Sequence, residues 1–233
     1  MTRREPNRGR LVVSAGATAM AKADTALQEI AAEAAGCRRC PLYRVGTQTV
    51  FGQGPASAPL VFVGEQPGDR EDLAGLPFVG PAGRILDAGL AASGIDRTRV
   101  YVTNAVKHFK NVPRGKRRIH QRPNTYEIDR CRWWLDRELA IIKPRFTVAL
   151  GATAAAALAG KTLTLAKVRG RPIAFREGVD GFVTVHPSYI LRLRDQKKED
   201  EYAHFIADLK ALAKLVPEVR VRTNAAGRAR RSA

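Results

Sequence analysis

With 233 residues, 45% of them apolar, the chain can bury a sizeable single-domain core without a disulfide or metal to staple it. Forty lysines and arginines against 22 acidic residues leave a formal charge of +18, more than solubility asks for, and point to a polyanionic partner such as nucleic acid. Three cysteines exclude a closed disulfide framework, and no apolar run approaches the ~18 residues of a membrane span.

A reducing, cytoplasmic setting follows from that cysteine usage. Residues 1–19 read as a basic, disordered extension, with Met20 as an alternative start, and residues 217–233 as a basic disordered tail. Between them, 20–216 form one domain. Setting aside residues 1–10 and 218–233 leaves 31 basic and 20 acidic residues, a net +11, so the globular part is itself basic.

The predicted elements alternate along the chain. An Ala-rich helix over Ala21–Ala35 ends at Gly36. A first strand, Pro59–Val63, runs into Gly64-Glu65-Gln66-Pro67-Gly68. Gly80-Pro81 opens a helix with Ile85, Leu86 and Leu90 on one stripe and Gly94 as its stop. A second strand, Val100–Thr103, delivers Asn104 and then His108. From His108 to Asn124 nothing is periodic, and a cation-rich loop of that length in a compact domain is usually functional.

Thr125–Ile142 reads as a helix with Thr125 as N-cap and Pro144 beyond its end. The third strand, Phe146–Leu150, leads into a short helix at Ala152–Ala159. Arg171–Phe175 is a candidate edge strand, Phe182–Val185 a fourth strand ending in His186-Pro187-Ser188, and Glu199–Leu215 the closing helix. This rhythm predicts an α/β class, a three-layer α/β/α sandwich around a central, mostly parallel four-stranded sheet. Ligands of such sheets bind beyond the carboxyl ends of the strands, so Glu65, Asn104 and His186 converge on one pocket.

Cys37-x-x-Cys40 and the distant Cys131 fit a redox pair or a metal site equally well. His108 is the available fourth ligand, and spacing alone does not choose between zinc and iron.

Gly64–Gly68, Pro77–Gly83, Thr103–Lys107 and His186–Ser188 together resemble the uracil-DNA glycosylase superfamily, from about Gly36 to about Leu212. The resemblance is to the family 4, iron–sulfur branch. Gln66 in place of alanine, His108 in place of cysteine, and the insert Lys116-Arg117-Arg118-Ile119-His120 make it most similar to the UdgX type, whose members excise uracil and stay joined to the DNA. That resemblance implies a [4Fe–4S] cluster on Cys37, Cys40, His108 and Cys131, with Zn²⁺ the alternative.

It also implies roles at the pocket. Asn104 presents a donor and an acceptor to the uracil edge, and cytosine offers the reversed pattern. Phe78 stacks on the flipped base. His186 donates to the uracil O2 as negative charge develops there. Glu65 lies near the sugar, Gln66 orients Glu65 or the base edge, and Gly64 and Gly68 let the backbone approach DNA. Lys116, Arg117, Arg118 and Ser188 bind flanking phosphates. His120 is the nucleophile that captures C1′ of the deoxyribose.

The expected activity is therefore uracil flipping, N-glycosidic cleavage and a covalent His120–deoxyribose adduct. A conventional, turnover-competent glycosylase and a non-catalytic binder of single-stranded or damaged DNA are the alternatives. The expected partner is uracil-containing DNA, preferentially single-stranded, met by a monomer.

Overall fold

Four strands whose residues are almost all buried lie side by side in parallel, because helices cover both faces and neither face needs a polar alternation. The structure is a computed structural model and is described over residues 15–221. Its elements in chain order are α1 (Ala15–Ala35), β1 (Leu60–Gly64), α2 (Asp69–Ala74), α3 (Pro81–Ala92), β2 (Val100–Asn104), β3 (Asn111–Arg114), β4 (Arg117–His120) and α4 (Thr125–Ile142). They continue with β5 (Phe146–Leu150), α5 (Ala152–Ala159), α6 (Leu165–Val168), β6 (Pro172–Ala174), β7 (Asp180–Thr184), α7 (Pro187–Arg192) and α8 (Asp195–Leu215).

The central sheet has the order β2-β1-β5-β7-β6, with β6 antiparallel at the edge. Alternate residues of each strand enter different cores. Leu60, Phe62, Val102, Val148 and Phe182 pack with Leu86 and Leu90 of α3 and Phe205, Leu209 and Leu212 of α8. Val61, Val63, Tyr101, Ala149 and Val183 pack with Leu27 and Ile30 of α1, Leu135 of α4 and Leu158 of α5. These two layers of helix make the predicted three-layer sandwich, with five strands rather than four because the candidate edge strand pairs with β7.

Two expectations for the middle of the chain are corrected. The stretch 108–124 is not structureless: β3 and β4 pair as an antiparallel hairpin in which Asn111 faces His120 and Arg114 faces Arg117. Gly115 turns it with a φ of 59°, a value glycine adopts freely. The four-residue strands and the cation-rich composition hid the alternation. The N-cap of α4 is Asn124, not Thr125, and its side chain and that of Glu127 close a reciprocal capping box.

The ends also differ from expectation. Helix α1 begins at Ala15, so part of the segment expected to be disordered is helical; residues 1–14 lie outside the described residues. At the other end Val219 is buried, Asp96 N–H donates to its carbonyl at 2.8 Å and Val221 N–H donates to that of Gly94. The start of the expected tail is thus docked, and residues 222–233 lie outside the described residues.

Candidate active site at the strand ends

The pairing register sets Gly64 beside Asn104 and Leu150 beside Thr184, so the segments leaving β1, β2, β5 and β7 emerge on one edge of the sheet. They line a cavity of about 1330 Å³ together with residues of α3, α5, α7 and the hairpin. Glu65, Gln66, Phe78, Asn104, His120, Thr153, His186 and Ser188 all face it.

Glu65 is held from two sides. Thr153 Oγ1 donates to Oε2 in a short hydrogen bond, and His120 Nε2 stands 3.3 Å from Oε1. Burial pushes the Glu65 carboxyl up, but the hydrogen bonds from His120 and Thr153 lead the effects that outweigh it and hold it below the ordinary range. Thr153 was missed in the sequence. Its only signal was a hydroxyl near the start of the helix that follows β5.

His186 is a buried imidazole with a fixed tautomer. Ser188 backbone N–H donates to Nδ1 at 3.1 Å, and the Ser188 hydroxyl is 2.8 Å from the same nitrogen. An accepting Nδ1 leaves the ring proton on Nε2, which makes that nitrogen a hydrogen-bond donor. Burial lowers its pKa to about 4 against the opposing pull of Glu65, so the ring is neutral near pH 7. Ser188 therefore orients His186, and it also accepts from Arg192.

Phe78 and His186 are stacked, with centroids 6.3 Å apart. Phe78 holds a left-handed backbone with φ of 57°, a strained value for a bulky residue and a feature that gathers at functional sites. It is tolerated because position 83 is glycine, where a Cβ would lie 1.6 Å from the Phe78 carbonyl oxygen. Asn104 is buried at the cavity wall, and a Cβ on Gly64 would lie 2.4 Å from its Oδ1. Gly64 thus admits the carboxamide.

Gln66 faces the cavity but spends its amide on the hairpin. Its amide donates to the carbonyls of Lys110 (3.3 Å) and Gln121 (3.0 Å) and accepts from Lys110 N–H (3.0 Å). It therefore clamps both feet of the hairpin that carries His120. Arg118 also departs from the phosphate-binding expectation. It bonds Asp69 (2.6 Å), Thr47 (2.9 Å) and the buried carboxylate of Asp72, and lies over Phe109. Arg118 is the hairpin's anchor to α2, while Lys116 and Arg117 are exposed at its tip.

Behind the site, the cysteines share one apolar cluster with Val106 and Trp134. Lys107 N–H donates to Cys131 Sγ and Trp134 Nε1–H to Cys37 Sγ, each at 3.1 Å. Burial pushes the Cys40 thiol up and that of Cys131 up to about 12. His108 is buried beside Asp72, whose charge opposes the lowering of its pKa by burial. Among the described residues no three Cys, His, Asp or Glu side chains stand close enough to hold a single metal ion.

The family model of the uracil DNA glycosylase superfamily matches residues 51–210. The chain belongs to that superfamily. It is 41% identical over 162 residues to a type-4 uracil-DNA glycosylase of Thermotoga maritima, covering 69% of this chain and 81% of the relative. It is 34% identical over 184 residues to the type-4 uracil-DNA glycosylase of Archaeoglobus fulgidus, covering 75% and 89%. Among the described residues no helix is long and apolar enough to cross a membrane.

Proposed function

We propose that this member of the superfamily excises uracil from DNA and captures the abasic sugar on His120. The observation that carries the reading is His120 Nε2 at 3.3 Å from Glu65 Oε1, in the cavity that also holds Asn104, Phe78 and His186. The flipped base stacks on Phe78 and is read by the Asn104 carboxamide. As the C1′–N1 bond breaks, its electron pair moves into the uracil, and His186 Nε2–H donates to the oxyanion developing at O2.

Glu65 stays ionised and steadies the positive charge developing on the sugar, while the His120 tautomer with its single proton on Nδ1 presents the Nε2 lone pair. That nitrogen bonds C1′, and uracil departs as an anion that takes a proton from solvent. The product is an N-alkylated imidazole carrying one positive charge, and it lacks a ready leaving group. The type-4 names of the relatives favour a second reading, in which Glu65 activates water and the enzyme turns over.

One gel separates the two. After incubation with uracil-containing single-stranded DNA, a protein–DNA band stable to heat and detergent is expected, and His120→Ala should remove it. Alkali-labile sites without that band would establish turnover, and intact DNA would leave only binding. Repeating the gel with duplex DNA tests the expected preference for single strands.

The donor chemistry at the cysteines supports a [4Fe–4S] group, which would pin α4 and the cysteine turn as a structural element. Three thiols share one cluster, and N–H donors aim at two of the sulfurs, an arrangement that stabilises thiolate charge. Cys37, Cys40 and Cys131 would hold the cluster, with His108 the proposed fourth ligand. A colourless protein carrying stoichiometric zinc would overturn this assignment.

A further inference from the structure

Five arginines crowd the outside of the cysteine turn and the adjoining face of α4. We propose that Arg38, Arg39, Arg44, Arg130 and Arg137, mounted on Tyr43 and Trp133, form a second DNA-contact surface that grips the phosphates of the strand leaving the cavity.

The rings act as mounts. Arg39 and Arg137 each hold their guanidinium carbon 4.6 Å from the Trp133 centroid, so the indole is covered by two cations. Arg38 and Arg44 lie 5.8 and 5.4 Å from the Tyr43 ring, and Arg44 Nε–H donates to its hydroxyl at 3.1 Å. Arg39 and Arg130 exchange Nε–H bonds with each other's backbone carbonyl, at 3.3 and 3.2 Å, which fixes the turn to α4. These contacts spread and orient the guanidinium planes, and among the described residues only Arg137 spends an outer N–H on a side chain, that of Glu33.

The charge balance argues for a polyanion. Among the described residues, the only carboxylate bonded to these five guanidiniums is that of Glu33, on Arg137. Arg38, Arg44 and Arg130 are exposed. Like charges so gathered repel one another, and a phosphate chain is the ligand that relieves this while matching the guanidinium fork.

Position argues for the substrate's own strand. Helix α4 starts at the foot of the hairpin, where Lys110 bonds Glu127, and Arg122 lines the cavity. From Thr125 to Trp133 the helix rises about 12 Å, the span of roughly three to four nucleotide steps at 3.4 Å each. The proposal rests on the reading of the cavity as a DNA site only for the path of that strand.

The chain's two tryptophans are Trp133 and Trp134, so the emission of the unmodified protein reports on this patch. Two uracil-free single-stranded oligonucleotides are compared: a short one that fills the cavity alone, and a longer one that reaches α4. Only the longer should shift the emission. Arg38→Gln/Arg44→Gln should weaken binding of the longer strand and make its log–log salt dependence shallower by about 1.4. Uracil release from the short substrate should be unchanged.

An equal response to both strands, an equal response to polyglutamate, or an unaltered salt slope would each overturn the proposal. Failure of uracil release from the short substrate by the unmodified protein would strike the proposed activity instead.

Discussion

The Lys107 ammonium bridges Glu138 and the backbone carbonyl of Asn104, donating to both and to Thr103 from a fully buried position. Glu138 in turn accepts from Tyr101, Thr103 and Gly52 N–H. The ion pair thus ties the Asn104 end of β2 to α4. Removing one partner strands a buried charge, so Glu138→Gln and Lys107→Met should each lose about 3–5 kcal/mol. The apolar pair Lys107→Met/Glu138→Leu should lose much less than the sum. Urea denaturation of the three variants checks this, and single losses under about 1 kcal/mol would contradict it.

Gly64→Ala should damage chemistry rather than folding. The added methyl would press on Asn104 Oδ1 and on Phe78 Cζ, which would lie 2.8 Å away. A misplacement of this kind in a positioned site lowers rates by about 100-fold. Uracil release should fall by that order while the melting temperature stays near the parent's. Full activity would show that the Asn104 carboxamide is not held where the geometry suggests.

Gln66→Ala should separate the two halves of the proposed reaction. Without the clamp on Lys110 and Gln121 the hairpin feet loosen and His120 loses its seat beside Glu65. The covalent band should weaken more than uracil release does. Hydrogen exchange in 108–121 should speed up in the same variant. An undiminished band with unchanged exchange would remove Gln66 from this role.

The neutral state of His186 makes stability depend on pH. Its folded pKa is lowered to about 4, below the unfolded value of about 6.5, so between those limits the unfolded chain binds the extra proton. Stability should therefore fall as pH drops from about 6.5 to about 4, by up to about 3 kcal/mol from this group. The pH slope should flatten in His186→Asn. Thermal melts across that range test it, and parallel slopes for the two proteins would refute it.

The parallel strands were legible because continuous apolar runs such as Leu60–Val63 admit few other readings, and their polar sequels placed Glu65, Asn104 and His186 on one edge. α5 and α4 were read to their observed ends because alanine runs and flanking prolines mark helices locally. The hairpin was not, since its pairing depends on partners far along the chain, Asp69 and Asp72 for Arg118 and Gln66 for its feet. Arg118 looked like a phosphate binder because a cation's counterion is set by tertiary structure. Thr153 carried no motif and acquires meaning only beside Glu65.

The anchor between Arg118 and Asp72 limits how the insert can be cut away. The Asp72 side chain is fully buried, and Arg118 is its cationic partner. A deletion of 111–120 would leave a carboxylate marooned under α2, so a trimmed chain would suffer from that orphaned charge as well as from the missing His120. A truncated enzyme meant to isolate the hairpin's contribution has to neutralise position 72 in the same step.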